Sequence, residues 1–226
     1  MDEKHQKNNY GILSLKIILV LSVMLALVAI STPVILKWAK KSAMTTAVNN
    51  ARQVSVLLIE FDQDFGHFPN DESAYADADL KSYRGDFSND YLGQLIAGGY
   101  VRSEEIFYAE GGSRTNKKPD NDIATQGDIL EAGECGFAYL KNHGLDSEAS
   151  TPILLTPMTR NGTQFDADRH DGKAMILRMD GSVMQMQIDP ETGEALVPEG
   201  GTLFQGGEGT PWEERAFVSE DLLFPK

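Results

Sequence analysis

Cysteine is nearly absent from this chain: one residue, Cys135, in 226. An internal disulfide is excluded, and with it the small disulfide-stapled scaffolds. The compartment stays open, because an oxidising periplasm does not demand disulfides. Basic residues are scarce as well, 20 against 34 acidic ones, for a formal charge of −14. Residues 1–41 hold six lysines (4, 7, 16, 37, 40 and 41) against Asp2 and Glu3. The other 185 residues hold 14 basic and 32 acidic groups. So acidic a body excludes nucleic acid as a partner, since phosphate binding needs a cationic face. Catalytic signatures are also lacking: there is no GxSxG, HExxH, Walker loop or CxxC. The four histidines, His5, His67, His143 and His170, are scattered. No catalytic residue is assigned, the chain is not read as an enzyme, and no cofactor is expected. Cys135, beside Gly136 in an apolar run, reads as a buried small hydrophobe.

What is present begins with one long apolar run. Residues 17–36, IILVLSVMLALVAISTPVIL, contain no charge. A helix of that length spans roughly 30 Å, the thickness of bilayer hydrocarbon. It is longer than a signal-peptide core, and Lys37, Trp38, Lys40 and Lys41 follow it as interfacial anchors. Pro33 removes one helical hydrogen bond and predicts a bend near residues 29–33. Counting positive charge alone would place the acidic body in the cytoplasm.

The helical pattern does not stop at Lys41. Ala47, Ala51, Val54, Leu58, Phe61 and Phe65 recur at spacings of four, three, four, three and four. That is one face of an amphipathic helix, which Gly66 and Pro69 end. Residues 70–130 read as a polar, loop-rich insert with a short helix near 90–98 and an exposed loop at Lys117-Lys118. Strand signals follow at 135–140, at 151–158 (an edge strand, from Pro152 and Pro157) and at 173–179 and 182–188. The last two flank Asp180-Gly181, a hairpin signal. Met184, Met186 and Ile188 alternate with Gln185 and Gln187, which predicts one buried and one wet face. After residue 189 the chain reads as mostly loop, tied down by Trp212, Phe217, Leu222, Leu223 and Phe224. The fold class is α+β: a long N-terminal helix, half transmembrane and half amphipathic, on a small antiparallel sheet.

In this order the elements resemble the prepilin-type proteins, the pilins and type II secretion pseudopilins. Gly11-Ile12-Leu13-Ser14-Leu15 stands where the family has Gly before Phe-Thr-Leu-Ile. Pro33 is then the twenty-second mature residue, where the family commonly bends its helix. Asn49-Asn50-Ala51-Arg52-Gln53 with Gly66-His67-Phe68-Pro69 is similar to the planctomycete and verrucomicrobial subgroup. His170, nine residues, then Asp180-Gly181 fits that subgroup's His-x9-Asp-Gly element. The resemblance covers about residues 11–70 and 165–188. It implies a pilin-like layout: leader 1–11, membrane helix 12–36, amphipathic continuation 37–66, and a globular domain 67–226 outside the bacterial inner membrane, in the periplasm. It implies processing by prepilin peptidase between Gly11 and Ile12. The implied partners are the bilayer, other pilin-like subunits and the assembly platform of a secretion or pilus system.

One position departs from the family. The fifth mature residue, usually Glu, is Lys16. A lysine would repel a neighbour's N-terminal amine, and an unpaired charge in lipid costs at least about 2.5 kcal/mol. This implies a minor subunit rather than the bulk fibre, or an uncleaved, signal-anchored binding domain whose 70–130 insert is the recognition surface. An envelope hydrolase has no supporting motif. For metals, the acidic clusters at 120–128 and 166–171 are weighed for calcium. The favoured reading of His170 is structural: it bonds a nearby loop carbonyl or carboxylate, and with Asp180 and Gly181 fixes a hairpin.

Overall fold

The computed structural model describes residues 3–110, 115–159, 162–198, 200–207, 209–212 and 217–226, with side chains from residue 16 onward. It divides into two compact units, Met1–Ala39 and Lys40–Lys226. The first helix, α1, spans Glu3–Phe65 and includes Pro33. It begins earlier than the expected leader boundary. A single glycine, here Gly11, costs a helix only about 1 kcal/mol and does not stop it. Gly66, at φ +78°, ends the helix and donates its amide to Asp62 O at 2.7 Å.

Within the larger unit, the expected stripe of α1 is the core. Ala47, Ala51, Val54, Leu58 and Phe61 are buried, Phe65 packs against them, and Met44 and Val48 widen the stripe. It faces a five-stranded antiparallel sheet in the order β4-β3-β2-β1-β5. The strands are β1 (Ala138–Leu140), β2 (Pro152–Thr156), β3 (Lys173–Arg178), β4 (Val183–Gln187) and β5 (Leu222–Leu223). Tyr139, Leu154, Met175 and Leu177 join the α1 side of the core. The α+β layout of helix on sheet is thus present.

One expectation about the sheet is corrected and another holds. β2 is its central strand, not an edge. Pro152 is tolerated because it is the first residue of the strand, beside a register shift between Pro152 and Leu154, where no ladder amide is needed. On β4 the expected alternation is present, with Met186 and Ile188 buried and Gln185 and Gln187 exposed, while both faces of the inner strands are covered. Ala138, Leu140, Leu155, Ala174, Ile176 and Met186 form a second core with Ile188, Ala195, Leu203 and Trp212 from the tail. The tail is mostly loop, as expected, yet it is a structural layer. Trp212 Nε1 donates to Leu203 O at 2.5 Å, and its ring lies 5.1 Å from that of Phe217. Gln185 and Gln187 stay exposed because β4 is an outer strand.

The insert is more ordered than its composition implies. It forms α2 (Asp71–Ala76), α3 (Ser88–Ala97) and a 3-10 turn, Glu105–Phe107. Buried amide side chains hold these together. Gln94, at the centre of α3, donates to Asn70 O (3.0 Å) and Tyr83 O (2.7 Å) and accepts from Ser73 Oγ (2.7 Å). Asn89 donates to Leu130 O at 2.7 Å. Each removes a pair of otherwise stranded backbone groups from the interior. Asn50, half-buried on α1, ties the helix to the insert by donating to Glu105 O (2.9 Å) and Tyr108 O (2.8 Å).

Candidate functional site

The feature that stands apart chemically is the apolar surface of α1. Every described residue from 16 to 42 is exposed. Fourteen large apolar side chains between Ile17 and Leu36 are each 53–70% exposed. At about 0.3–0.6 kcal/mol per residue, their transfer to lipid is worth on the order of 4–8 kcal/mol. By length and composition this is a helix able to cross a membrane. Its polar atoms are satisfied internally, as lipid requires: Ser22 Oγ donates to Leu19 O, and Ser31 Oγ and Thr32 Oγ1 both donate to Val28 O. Those two hydroxyls lie beside Pro33, which leaves the Ala29 carbonyl without its helical amide. Lys16, at the start of the apolar run, is exposed. Gly11 and Ile12 are helical in backbone, but their side chains lie outside the described residues.

Asp180 and Gly181 form the β3–β4 turn, as the Asp-Gly signal implies. Gly181 has φ +75° and donates its amide to Arg178 O at 3.0 Å. Asp180 Oδ1 accepts from both the amide (2.9 Å) and hydroxyl (2.5 Å) of Ser182. The turn also lies against α1: a Cβ at residue 181 would sit 3.3 Å from Ser55 Oγ. Glycine therefore meets two needs here, a left-handed backbone and a close approach. Gly181→Ala should cost about 1–3 kcal/mol, the sum of left-handed strain and crowding. Urea midpoints of the detergent-solubilised chain would measure it, and a change within about 0.5 kcal/mol would refute this account of the turn.

His170 is not part of that hairpin. It precedes the other end of β3, so the pairing of His170 with Asp180-Gly181 in one turn is corrected. The expected loop carbonyl is Glu110 O, 2.8 Å from Nε2. His170, Asp171 and Gly172 run consecutively through the left-handed region (φ +46°, +58°, +74°). This left-handed turn, costing about 1–2 kcal/mol for each non-glycine residue, turns the chain into β3 with the imidazole buried. Nδ1 is buried with no hydrogen-bond partner among the described residues.

Burial pushes the His170 pKa below its ordinary value, and Arg169 adds to this, against the Glu110 carbonyl and Asp166. The unfolded chain therefore takes up a proton below about pH 6.5 while the folded chain does not. Stability should fall as pH drops from 7 towards the lowered folded pKa, by up to about 1.4 kcal/mol per pH unit. Urea midpoints at pH 7 and pH 5 would show it. His170→Gln should flatten that slope, and an unchanged slope would remove His170 as its cause.

The acidic residues weighed for calcium are mostly used locally. Asp122 accepts from Ala124 N and Asp128 from Thr125 Oγ1. Asp166 accepts from Asp168 N and pairs with Arg169 at 3.4 Å. The carboxylates that do converge are Glu104, Asp120 and Glu134, with oxygen atoms within 4.8 Å of one another. Only Asp120 of these falls in the weighed clusters. Lys117 stands among them, 3.1 Å from Asp120 and 3.0 Å from Glu134, and also contacts Glu131. Hydrogen bonds to Glu131 and Glu134 raise its pKa, so the ammonium persists and supplies the cation the carboxylates need. Glu104 accepts from Leu130 N and Asn121 N, and its pKa is raised by burial. The Lys117 stretch, expected as an exposed loop, is thus pinned by charge. From sequence, a lysine followed within about seventeen residues by spaced acids gives no such signal; the clamp depends on the turn geometry.

Cys135 is fully buried, and burial pushes its thiol up to about 11. It therefore stays protonated near neutral pH, in keeping with a packing role. Comparison of the chain with protein-family models, with curated proteins and with solved structures finds no match.

Proposed function

We propose that this chain is a pseudopilin-like, non-catalytic structural subunit of a type II secretion or type IV pilus-type assembly, anchored in the bacterial inner membrane with its domain in the periplasm. The observation that carries this reading is a single helix whose residues 17–36 are apolar and exposed and whose residues 43–61 supply the core of an α+β domain. Prepilin peptidase would cut between Gly11 and Ile12, and the apolar helix would be stored in the bilayer until drawn laterally among other pilin-like subunits. Lys16 supports a minor position, because its ammonium repels the N-terminal amine of a neighbour instead of neutralising it.

Lys16 equally favours a second reading, an uncleaved signal-anchored binding domain in which the lysine snorkels to the headgroups. The test is the intact mass and N-terminal sequence of the membrane-extracted chain, from cells with and without prepilin peptidase. A chain starting at Ile12 only when the peptidase is present is the expected result. A chain starting at Met1 in both strains would overturn the pseudopilin reading and leave the anchored binding domain.

A further inference from the structure

The tail-covered face of the sheet carries a recess of about 210 Å³, lined by Arg178, Met184, Met186, Val197, Pro211 and Ser150. Its walls are apolar, and its charge is Arg178, whose side chain is 25% exposed. The guanidinium is poorly matched. Among the described residues Nη1 meets the thioether of Met184, at 3.4 Å, a weak acceptor. Nη2 lies 3.7 Å from Asp180 Oδ2, beyond hydrogen-bonding distance. Nε is buried with no hydrogen-bond partner among the described residues. A buried donor of this kind lacks the planar two-oxygen acceptor that a guanidinium fits.

The second observation is the open edge of β4 beside this recess. Ile188 N donates to Gly172 O and Arg178 N to Ser182 O, which fixes the phase of the β3–β4 ladder. The residues paired as Met175 with Gln185 and Leu177 with Val183 are then the non-bonded pairs. The amides and carbonyls of Val183 and Gln185 therefore point outward. The same phase sends Gln187 O outward, where it accepts from Leu196 N at 2.8 Å. The tail thus begins to pair with this edge and then leaves it. Among the described residues no hydrogen bond covers the edge at Val183 and Gln185.

We propose that recess and edge form one docking site for an extended peptide that ends in a carboxylate. Its backbone pairs with Val183 and Gln185, its last aliphatic side chain enters among Met184, Met186 and Val197, and its terminal carboxylate meets Arg178. The carboxylate follows from the buried Nε, which has no hydrogen-bond partner among the described residues, and the extended backbone follows from the open strand edge. Because the domain is strongly acidic, long-range attraction does not help such a ligand, so discrimination rests on the local contact with Arg178.

The test uses the full chain in detergent micelles, read against protein-free micelles. The probe is a fluorescently labelled hexapeptide of alternating threonine and valine with a C-terminal leucine, as free acid and as amide. Fluorescence anisotropy should show the acid binding at least about tenfold more tightly than the amide, as loss of a charged hydrogen-bond pair predicts. Arg178→Gln should erase that difference. Gln185→Pro should weaken both forms, because it removes an outward amide and leaves the β3 ladder intact. The proposal is overturned if acid and amide bind alike, if neither saturates, or if 4-methylpentanoate competes as well as unlabelled peptide. The last result would assign the recess to small aliphatic carboxylates instead of a strand.

Discussion

Gly136→Ala should cost about 3 kcal/mol or more, at the upper end of what overpacking does. A Cβ at this position would lie 2.6 Å from both Cβ and N of Ala109 and 2.7 Å from its carbonyl oxygen. Two of those atoms are backbone, and the backbone is tied: Gly136 N donates to Phe107 O at 3.0 Å. Neither segment can retreat without breaking that bond or shifting Phe107, Ala109 and Phe137, all fully buried. Gly66→Ala provides the contrast. Gly66 has a positive φ, which Gly136 does not, and nothing lies within 4 Å of its added Cβ. Its cost should stay near the left-handed strain alone, about 1–2 kcal/mol. Chemical denaturation of both variants in the same detergent separates the two causes. Equal losses would show that crowding against Ala109 is relieved by movement.

Phe61→Ala should remove about 3–5 kcal/mol. Phe61 is fully buried on α1, stacks on Phe65 with ring centres 4.4 Å apart, and meets Tyr100 at 5.3 Å. Truncation leaves a cavity bounded by a helix on one side and the 98–101 turn on the other, neither free to collapse. Val56, one and a half turns earlier on the same helix, is 63% exposed. Val56→Ala should change stability by no more than about 0.5 kcal/mol. Extraction from membranes by alkaline carbonate should be the same for both variants, because residues 17–36 are untouched. A loss below about 1 kcal/mol for Phe61→Ala would mean that the α1 stripe is not the central packing face.

The features with a strict period were legible in the sequence. The α1 stripe, the short helix ending at Gly98-Gly99 and the Asp180-Gly181 turn each announce themselves by spacing or by a turn residue, and each is present. Position in the sheet was not legible. Pro152 signals an edge only if its amide would be needed, and at the first residue of a strand it is not. The second core is not legible in the sequence because its partner is the Gly- and Pro-rich tail, whose Ala195, Leu203 and Trp212 follow no period. The order of the insert rests on Gln94, Asn89 and Asn50, polar residues that periodicity assigns to the surface. Of the two acceptor types expected for His170, a loop carbonyl or a carboxylate, the structure has the carbonyl. Its partner, Glu110, is sixty residues distant and carries no sequence mark.

The strand order also sets a timetable. β1 pairs on one side with β5, and roughly eighty residues separate them in the chain. A ribosome adding about 5–20 residues per second needs on the order of 4–16 s to produce that interval. Throughout it one edge of β1 is open, and once β4 is made the face bearing Ala174, Ile176 and Met186 awaits Leu203 and Trp212. α1 and its apolar residues emerge before any of the strands. The domain is therefore assembled late and all at once, with its membrane-seeking helix exposed long before its sheet can close. A helix long and apolar enough to cross a bilayer is thus complete while the sheet still lacks its β5 edge.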